Sequence, residues 1–311
     1  MPEVGQFEGT LLGCGVGDAL GAPLEGMTRE VIRRRFGLVK DYMRRRYGPG
    51  KLTDDTQMTM ALAEAIVESR GFDVAHAAYK FGEWMRRSDE GIEAARGAGL
   101  ASATACRRLY QGVPYTESGI YSAGCGAAMR AAPIGLLFHR DLSRLKEAAI
   151  AQASLTHIDP RATAAAAAAA FAVAYCLNHE ALYDAEELLR QAGDFVRDIN
   201  LDMADRIYAV ATIRSLDYDS GFKHTGVGGF ALETVGAAYF AFVKNPFDFE
   251  TTVVQAVNAG GDTDSIGAIA GAISGALNGR EKIPARWLDA LEKREHLERL
   301  GREIFALAEK L

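Results

Sequence analysis

Cysteine is scarce in this chain and poorly placed for cross-linking. Cys14, Cys106, Cys125 and Cys176 lie far apart with no C-x-x-C pair, which excludes a disulfide scaffold and makes a reduced, cytoplasmic protein the expectation. There is no surplus of positive charge either. The 35 Lys and Arg residues face 41 Asp and Glu, a formal net charge of -6, so the chain lacks the electrostatic footprint of a nucleic-acid or anionic-membrane binder. Proline is limited to 8 residues, and no alternating β-branched run is long enough to read as a sheet strand. Met-Pro-Glu-Val at the start has neither the basic region nor the apolar run of a signal peptide. The most membrane-like stretch, 162–179, carries no formal charge but is mostly alanine, including Ala164–Ala170. Alanine gains little on transfer to lipid, and Asn178 and His179 close the run, so a buried central helix is the expectation and not a membrane span.

What the chain does have is apolar side chains (49%), a moderate charge (24%) and 33 glycines. The first two exclude wholesale disorder and allow a sizeable core. Four-residue periodicity recurs from end to end. It predicts helices over 5–22, 28–36, 57–70, 74–86, 98–111, 127–138, 142–155, 160–177, 183–199, 203–216, 231–243, 249–258, 265–277 and 284–311. The breaks between them are short and marked by Gly48-Pro49-Gly50, Pro114 or Asn245-Pro246. The fold expected is therefore all-α, a single many-helix domain over 1–311. The arginine-rich segment 33–46 reads as a solvated face, not as a phosphate site.

Much of the glycine is ordered. Gly9, Gly13, Gly17 and Gly21 recur every fourth residue, as do Gly267, Gly271, Gly275 and Gly279. Such spacing strips one ridge of a helix of side chains. Each interior glycine costs about 1 kcal/mol relative to alanine. Close approach of two backbones is the offset this implies.

The candidate chemistry lies at two acidic helix starts. Leu52-Thr53-Asp54-Asp55-Thr56-Gln57 contains a D-x-x-Q capping pattern, so capping by Asp54 is one reading. Gly260-Gly261-Asp262-Thr263-Asp264-Ser265 puts two carboxylates beside hydroxyls, more than a cap needs, after glycines that permit positive φ. Should the segments meet, Thr53, Asp54, Asp55, Asp262, Asp264 and Ser265 would form a set of hard oxygen donors. Converging carboxylates raise one another's pKa unless a cation neutralises them, and oxygen-only ligands suit Mg²⁺, Mn²⁺ or Ca²⁺. Four carboxylates balance two divalent ions, a pair able to orient substrate oxygens and activate water.

Five motifs in order carry a resemblance: Gly13-Cys-Gly-Val-Gly-Asp18-Ala-Leu-Gly21-Ala-Pro-Leu-Glu25, Leu52-Thr-Asp-Asp-Thr56, Gly124-Cys-Gly-Ala-Ala-Met-Arg130-Ala-Ala-Pro133, Leu155-Thr-His157 and Gly260-Gly-Asp-Thr-Asp-Ser265. Over roughly residues 5–280 the chain resembles the ADP-ribosylglycohydrolase family, which includes dinitrogen-reductase-activating glycohydrolases and ADP-ribosylarginine and ADP-ribosylserine hydrolases. The resemblance implies an all-α domain with two Mg²⁺ or Mn²⁺ ions at the floor of an ADP-ribose cleft. It puts Thr53, Asp54 and Asp55 on one side of the metals and Asp262, Asp264 and Ser265 on the other, serine standing where the family usually has threonine. It gives Glu25 a catalytic or gating role. Gly124, Cys125, Gly126, Ala127 and Met129 would lie against the diphosphate, with Cys125 where many relatives carry asparagine. His157 would sit near the cleft and Phe230 would stack on adenine. Plainer readings remain for several of these: core filler for Cys125, a satisfied core residue for His157, a buried aromatic for Phe230. Asp18 reads as an interhelical hydrogen-bond partner, Arg130 as a structural ion-pair partner.

Gly97 stands where nitrogenase-type members carry a catalytic aspartate, and Asp89 or Glu90 could replace it only if the loop shifts. Glu25 or Asp55 is then left as the water-activating base. The reaction implied is removal of ADP-ribose from a protein or small conjugate by attack of water at C1″, with arginine linkage first and serine linkage second. A non-catalytic ADP-ribose-binding relative, as some lens crystallins are, is the alternative from another class.

Overall fold

The computed structural model describes residues 2–179 and 183–311, and among these the regular structure is helical throughout. The α-helices are α1 (Val4–Gly21), α2 (Arg29–Phe36), α3 (Asp54–Glu68), α4 (Val74–Asp89), α5 (Leu100–Tyr110), α6 (Ala132–Leu137), α7 (Leu142–Ser154), α8 (Pro160–His179), α9 (Ala185–Val196), α10 (Leu201–Ile213), α11 (Tyr218–Thr225), α12 (Ala231–Lys244), α13 (Phe249–Val257), α14 (Thr263–Asn278), α15 (Ala285–Leu288) and α16 (Arg294–Ala308). One apolar core joins Phe7 in α1 to Ala308 in α16. The all-α, single-domain expectation is met.

The glycine ladders face each other. α1 and α14 run antiparallel with Gly9 against Gly275, Gly13 against Gly271 and Gly17 against Gly267. A Cβ on Gly13 would lie 2.1 Å from Gly271 O, and one on Gly17 would lie 2.0 Å from Gly267 O. No other residue leaves room for the carbonyl of the facing helix. The contact ends where Thr263 Oγ1 donates to Gly21 O at 2.9 Å. The zipper thereby brings the C-terminal end of α1, and Glu25 just beyond it, beside the acidic start of α14.

Helix α8 is long and apolar enough to cross a membrane by length and composition, yet 89% of its most apolar window is buried inside the protein. Its small alanines let α6, α7, α9, α12 and α14 pack around it.

Two predicted elements need correction, and one helix was missed. The helix expected over 127–138 is interrupted: a 3₁₀ turn spans Cys125–Ala127, and α6 begins only at Ala132, with Pro133 in its first turn where a missing N–H costs nothing. The C-terminal run 284–311 is two helices, split where Lys293 takes a left-handed φ of 59°. Helix α11 was not expected. It is capped by Asp217, whose carboxylate accepts from Ser220 N at 2.8 Å, and its Gly221 admits the Phe240 ring. Short and poor in helix formers, it depends on that packing.

Candidate active site

Asp is the habitual N-cap of this chain. Asp73, Asp141, Asp217 and Asp248 each accept from a backbone amide two or three residues on. Helices α3 and α14 depart from that habit. Thr53 caps α3, its hydroxyl accepting from Asp55 N at 3.4 Å, so Asp54 and Asp55 in the first turn are not spent on capping. The capping reading of Asp54 with Gln57 is corrected: Gln57 donates to Ala94 O at 3.1 Å and accepts from Trp84 Nε1 at 3.0 Å. Asp262 precedes α14 without any side-chain capping bond, and Asp264 follows in the first turn.

The two starts meet. Asp54, Asp55, Asp262, Asp264 and Ser265 line one cleft of about 540 Å³, a volume suited to a small-molecule ligand. Glu25 joins them from the loop after α1, its carboxylate paired with Arg46. Burial and the nearby Asp18 carboxylate push Asp54 up to about 8. Burial, with Asp54, Asp18 and Asp262 around it, holds Asp55 well above the usual carboxylate range, and Asp264 is raised in the same way by burial, Asp55 and Asp262.

Beneath this floor the buried Asp18 accepts from the amides and hydroxyls of both Thr53 and Thr56, at 2.6–3.2 Å. It clamps the start of α3 onto α1, which is the interhelical role expected for it. Thr53 is fully buried behind the cleft wall, its hydroxyl turned to Asp18 at 2.7 Å and to Asp55 Oδ2 at 3.2 Å.

The donor set fits a hard divalent cation chemically. Asp55 Oδ1 is buried with no hydrogen-bond partner, and an uncompensated buried carboxylate oxygen is costly without a cation. Among the described residues no three His, Cys, Asp or Glu side chains close around one point at ligand spacing. Two of the carboxylates turn instead to neutral donors. Asp264 Oδ1 takes the Ser265 amide at 3.2 Å, and Asp262 Oδ2 takes the Cys125 thiol at 3.0 Å and the Thr234 hydroxyl at 3.4 Å.

Backbone bonds stitch the surrounding loops together. Gly26 N donates to Gly261 O and Gly261 N to Met27 O, both at 2.8 Å, while Asp262 N donates to Val227 O at 2.7 Å. Gly260 and Gly261 take φ values of 90° and 68°, and a Cβ on Gly261 would lie 2.0 Å from Val227 O, so the bend before Asp262 demands glycine. The Gly226–Phe230 loop also accepts Cys125 N on Gly229 O at 3.0 Å. Gly124 N is used by Ser122 Oγ at 3.3 Å. Gly126 N, second in the 3₁₀ turn, has no partner among the described residues, whereas the Ala127 amide belongs to the turn itself. Gly124, Cys125, Gly126 and Met129 line the cleft; Ala127 is fully buried beneath it.

His157 lines the cleft too, its ring against Gly126, where a Cβ would lie 2.9 Å from Cε1. Burial and Arg130 hold His157 down at about 3, so it is neutral. Its Nδ1 meets Thr156 Oγ1 at 2.8 Å, and that hydroxyl accepts from Arg130 at 2.7 Å. Arg130 is structural but not an ion-pair partner. Fully buried, it donates to Gln152 Oε1, Gln152 O and Gly126 O and lies 4.5 Å from the Phe81 ring centre. Because the folded His157 binds its proton more weakly than the unfolded one, its stabilising contribution is present above pH about 6.5 and is lost as pH falls toward 3. The raised aspartates act in the opposite sense. His157→Gln is therefore expected to flatten the acid side of the stability profile relative to wild type, read by denaturant midpoints from pH 7 to 4.

Phe230 does not line the cleft. Its backbone pairs with Gly124, and its ring is partly buried with the Arg161 guanidinium 5.5 Å from the ring centre. Asp89 and Glu90 also lie off the cleft: Asp89 holds Arg107 and Tyr110, Glu90 holds Arg86, and neither can replace an acid at position 97. Gly97 itself is at the cleft wall with φ 83°, and a Cβ there would lie 2.9 Å from Asp54 Oδ1. Gly97→Ala is expected to cost about 1 kcal/mol from backbone strain alone, measured by chemical denaturation.

Two positioning residues escaped the sequence reading. Glu233, at the third position of α12, accepts from Gly228 N at 2.8 Å, and the buried Thr234 donates to Gly228 O at 2.7 Å. The signal was present as an acid three residues into a helix that follows a glycine loop.

Comparison with known proteins agrees with this geometry. The family model described as ADP-ribosylglycohydrolase matches residues 4–311. The ADP-ribosyl-[dinitrogen reductase] glycohydrolase of Rhodospirillum rubrum is 30% identical over 96% of this chain and 94% of its own. The ADP-ribosylarginine hydrolase Tri1 of Serratia proteamaculans is 27% identical over 97% of this chain and 79% of its own. A solved ADP-ribosylglycohydrolase-related protein complex superposes with a TM-score of 0.77 at 30% identity, covering 98% of both chains. With residues 4–311 matched and two acidic helix starts meeting in one cleft, the chain belongs to the ADP-ribosylglycohydrolase family of glycosyl-bond hydrolases.

Proposed function

We propose that this protein removes ADP-ribose from an arginine guanidinium by attack of water at C1″, in the cytoplasm and in dependence on two Mg²⁺ or Mn²⁺ ions. The observation that carries the reading is the orphaned, buried Asp55 Oδ1 among carboxylates at the floor of the cleft. Thr53, Asp54 and Asp55 would hold the ions from the α3 side, and Asp262, Asp264 and Ser265 from the α14 side. Such ions, when bound, supply charge that orients substrate hydroxyls and makes water more acidic.

The chain's own groups do the rest. The Gly126 amide is the donor available to a diphosphate, with Ala127 packed beneath it. Neutral His157 can hydrogen-bond an anionic ligand without adding charge. Asp55 Oδ1 and the Glu25 carboxylate are the acceptors able to take a proton from water, and the surrounding carboxylates stabilise positive charge that develops at C1″. Arginine linkage is supported by the arginine-acting relative. Gly97 supports a second reading, an ADP-ribose binder without turnover, because it withholds a side chain at the cleft wall.

A panel of peptides ADP-ribosylated through arginine, serine or cysteine, each assayed with Mg²⁺, Mn²⁺ or EDTA, separates the cases. Release from the arginine conjugate only with a divalent ion is the expected result. Turnover unaffected by EDTA removes the ion dependence, preference for the serine conjugate moves the linkage, and tight ADP-ribose binding with no release from any conjugate leaves the binder.

A further inference from the structure

Three of the four cysteines are sealed in the core, since Cys14, Cys106 and Cys176 have no exposed surface. Cys125 is different: it is half-buried and lines the same cleft as Asp55. Its sulfur lies 3.0 Å from Asp262 Oδ2 and 3.5 Å from Ser265 Oγ. An oxygen and a sulfur bound to one divalent ion, at about 2.1 Å and about 2.3 Å, stand about 3.1 Å apart at a right angle and about 3.6 Å apart at the tetrahedral angle. The two separations are thus those of neighbouring ligands of a single ion. A separate observation points the same way: Asp55 Oδ1, in the same cleft, is buried and unpartnered.

We propose that Cys125 adds a sulfur donor to the oxygen donors of Asp55, Asp262 and Ser265, giving a mixed site that takes thiophilic divalent ions of the zinc and cadmium class in competition with Mg²⁺ or Mn²⁺. The proposal rests on the ion-dependent reading above. Hard oxygen ligands alone suit Mg²⁺ and Mn²⁺, whereas one thiolate shifts preference toward softer ions. As the sulfur–metal bond forms, the S–H proton passes to solvent and no electron is transferred. Because Cys125 belongs to the loop whose Gly126 amide faces the diphosphate position, an ion bound through its sulfur ties that loop to the start of α14. Zinc-class ions would therefore act as inhibitors of the Mg²⁺- or Mn²⁺-supported reaction.

The test is a Cd²⁺ titration of the metal-stripped full chain, followed by the sulfur-to-cadmium charge-transfer absorbance in the ultraviolet, with a parallel calorimetric titration by Mn²⁺ alone. The wild type is expected to show the band, and Cys125→Ser to lose it. That variant should bind Cd²⁺ about tenfold or more weakly while its Mn²⁺ affinity stays within about threefold. Mn²⁺ binding without a cadmium band overturns the sulfur proposal and leaves the ion-dependent reading intact. A band that persists in folded Cys125→Ser overturns it equally, and failure of both ions to bind overturns both readings. Should Cys125→Ser not fold, alkylation of wild-type Cys125 decides the matter: protection by Cd²⁺ at concentrations where Mn²⁺ does not protect supports the proposal, and equal alkylation with either ion overturns it.

Discussion

Asp55→Asn is expected to lower release of ADP-ribose by about 10³-fold or more, the order lost when one well-placed polar group is removed from a catalytic site. The same change is expected to make the metal-free protein melt at a higher temperature. Asp55 sits among Asp54, Asp18 and Asp262, and burial with these neighbours holds its carboxyl well above the usual range. The sign follows from linkage. A carboxyl whose folded pKa is raised contributes stability that is present below its unfolded value and is lost as pH rises through the folded one. Asparagine keeps the size of the side chain and removes the charge, so its stabilising effect should grow as pH rises. Activity down and metal-free melting temperature up, in one variant, is a pairing that a purely structural carboxylate would not give. Loss of both would mean that Asp55 is held by bonds that asparagine cannot replace, and unchanged turnover would remove it from the chemistry.

The second large effect is expected in the glycine zipper. Gly13→Ala puts a Cβ 2.1 Å from Gly271 O, and Gly17→Ala puts one 2.0 Å from Gly267 O. Neither neighbour is a side chain that can swing aside; each is backbone of a buried helix. Alanine would regain about 1 kcal/mol of helix propensity. Overpacking should outweigh it, with a net cost of about 3 kcal/mol or more as the two helices are forced apart. Gly99→Ala is the control, because nothing lies within 4 Å of the position its Cβ would take and φ there is -64°. Urea denaturation of the three variants should show a large fall for the two zipper positions and little change for the control. Gly17 should also weaken divalent-ion binding more than Gly13, since its rung is nearer to Asp262 and Asp264. Equal stability of Gly17→Ala and wild type would mean that the zipper is looser than its geometry shows.

Much of the fold was legible because helices leave a local trace. Periodicity and caps located most of the helices within a few residues, and the alanine-rich run of α8 announced its own burial. The failures came where no local trace exists. The start of α6 was displaced by a 3₁₀ turn that answers to the neighbouring Gly229 carbonyl and Arg130, not to its own sequence. Helix α11 is held by a phenylalanine of α12, and the split before α16 depends on one left-handed lysine.

The site divides in the same way. Thr53, Asp54, Asp55, Asp262, Asp264 and Ser265 could be singled out from the chain alone, since carboxylates beyond what a helix cap needs are conspicuous. So could the two glycine ladders, since a repeated propensity cost implies a contact that repays it. Which surfaces those ladders join was decided only by tertiary structure: a helix without side chains on one ridge can pack closely against many backbones, and only the assembled core selects α14 for α1. The same holds for the individual atoms of the cleft. That Asp18 clamps α3, that Asp55 Oδ1 is left without a donor, and that Cys125 stands against Asp262 follow from distances between segments remote in the chain. Residue type and spacing determined which groups were available for chemistry, because capping, φ and helix propensity act over a few residues. Their burial and their partners were set by packing, because desolvation and hydrogen bonding act across whatever the folded chain brings together.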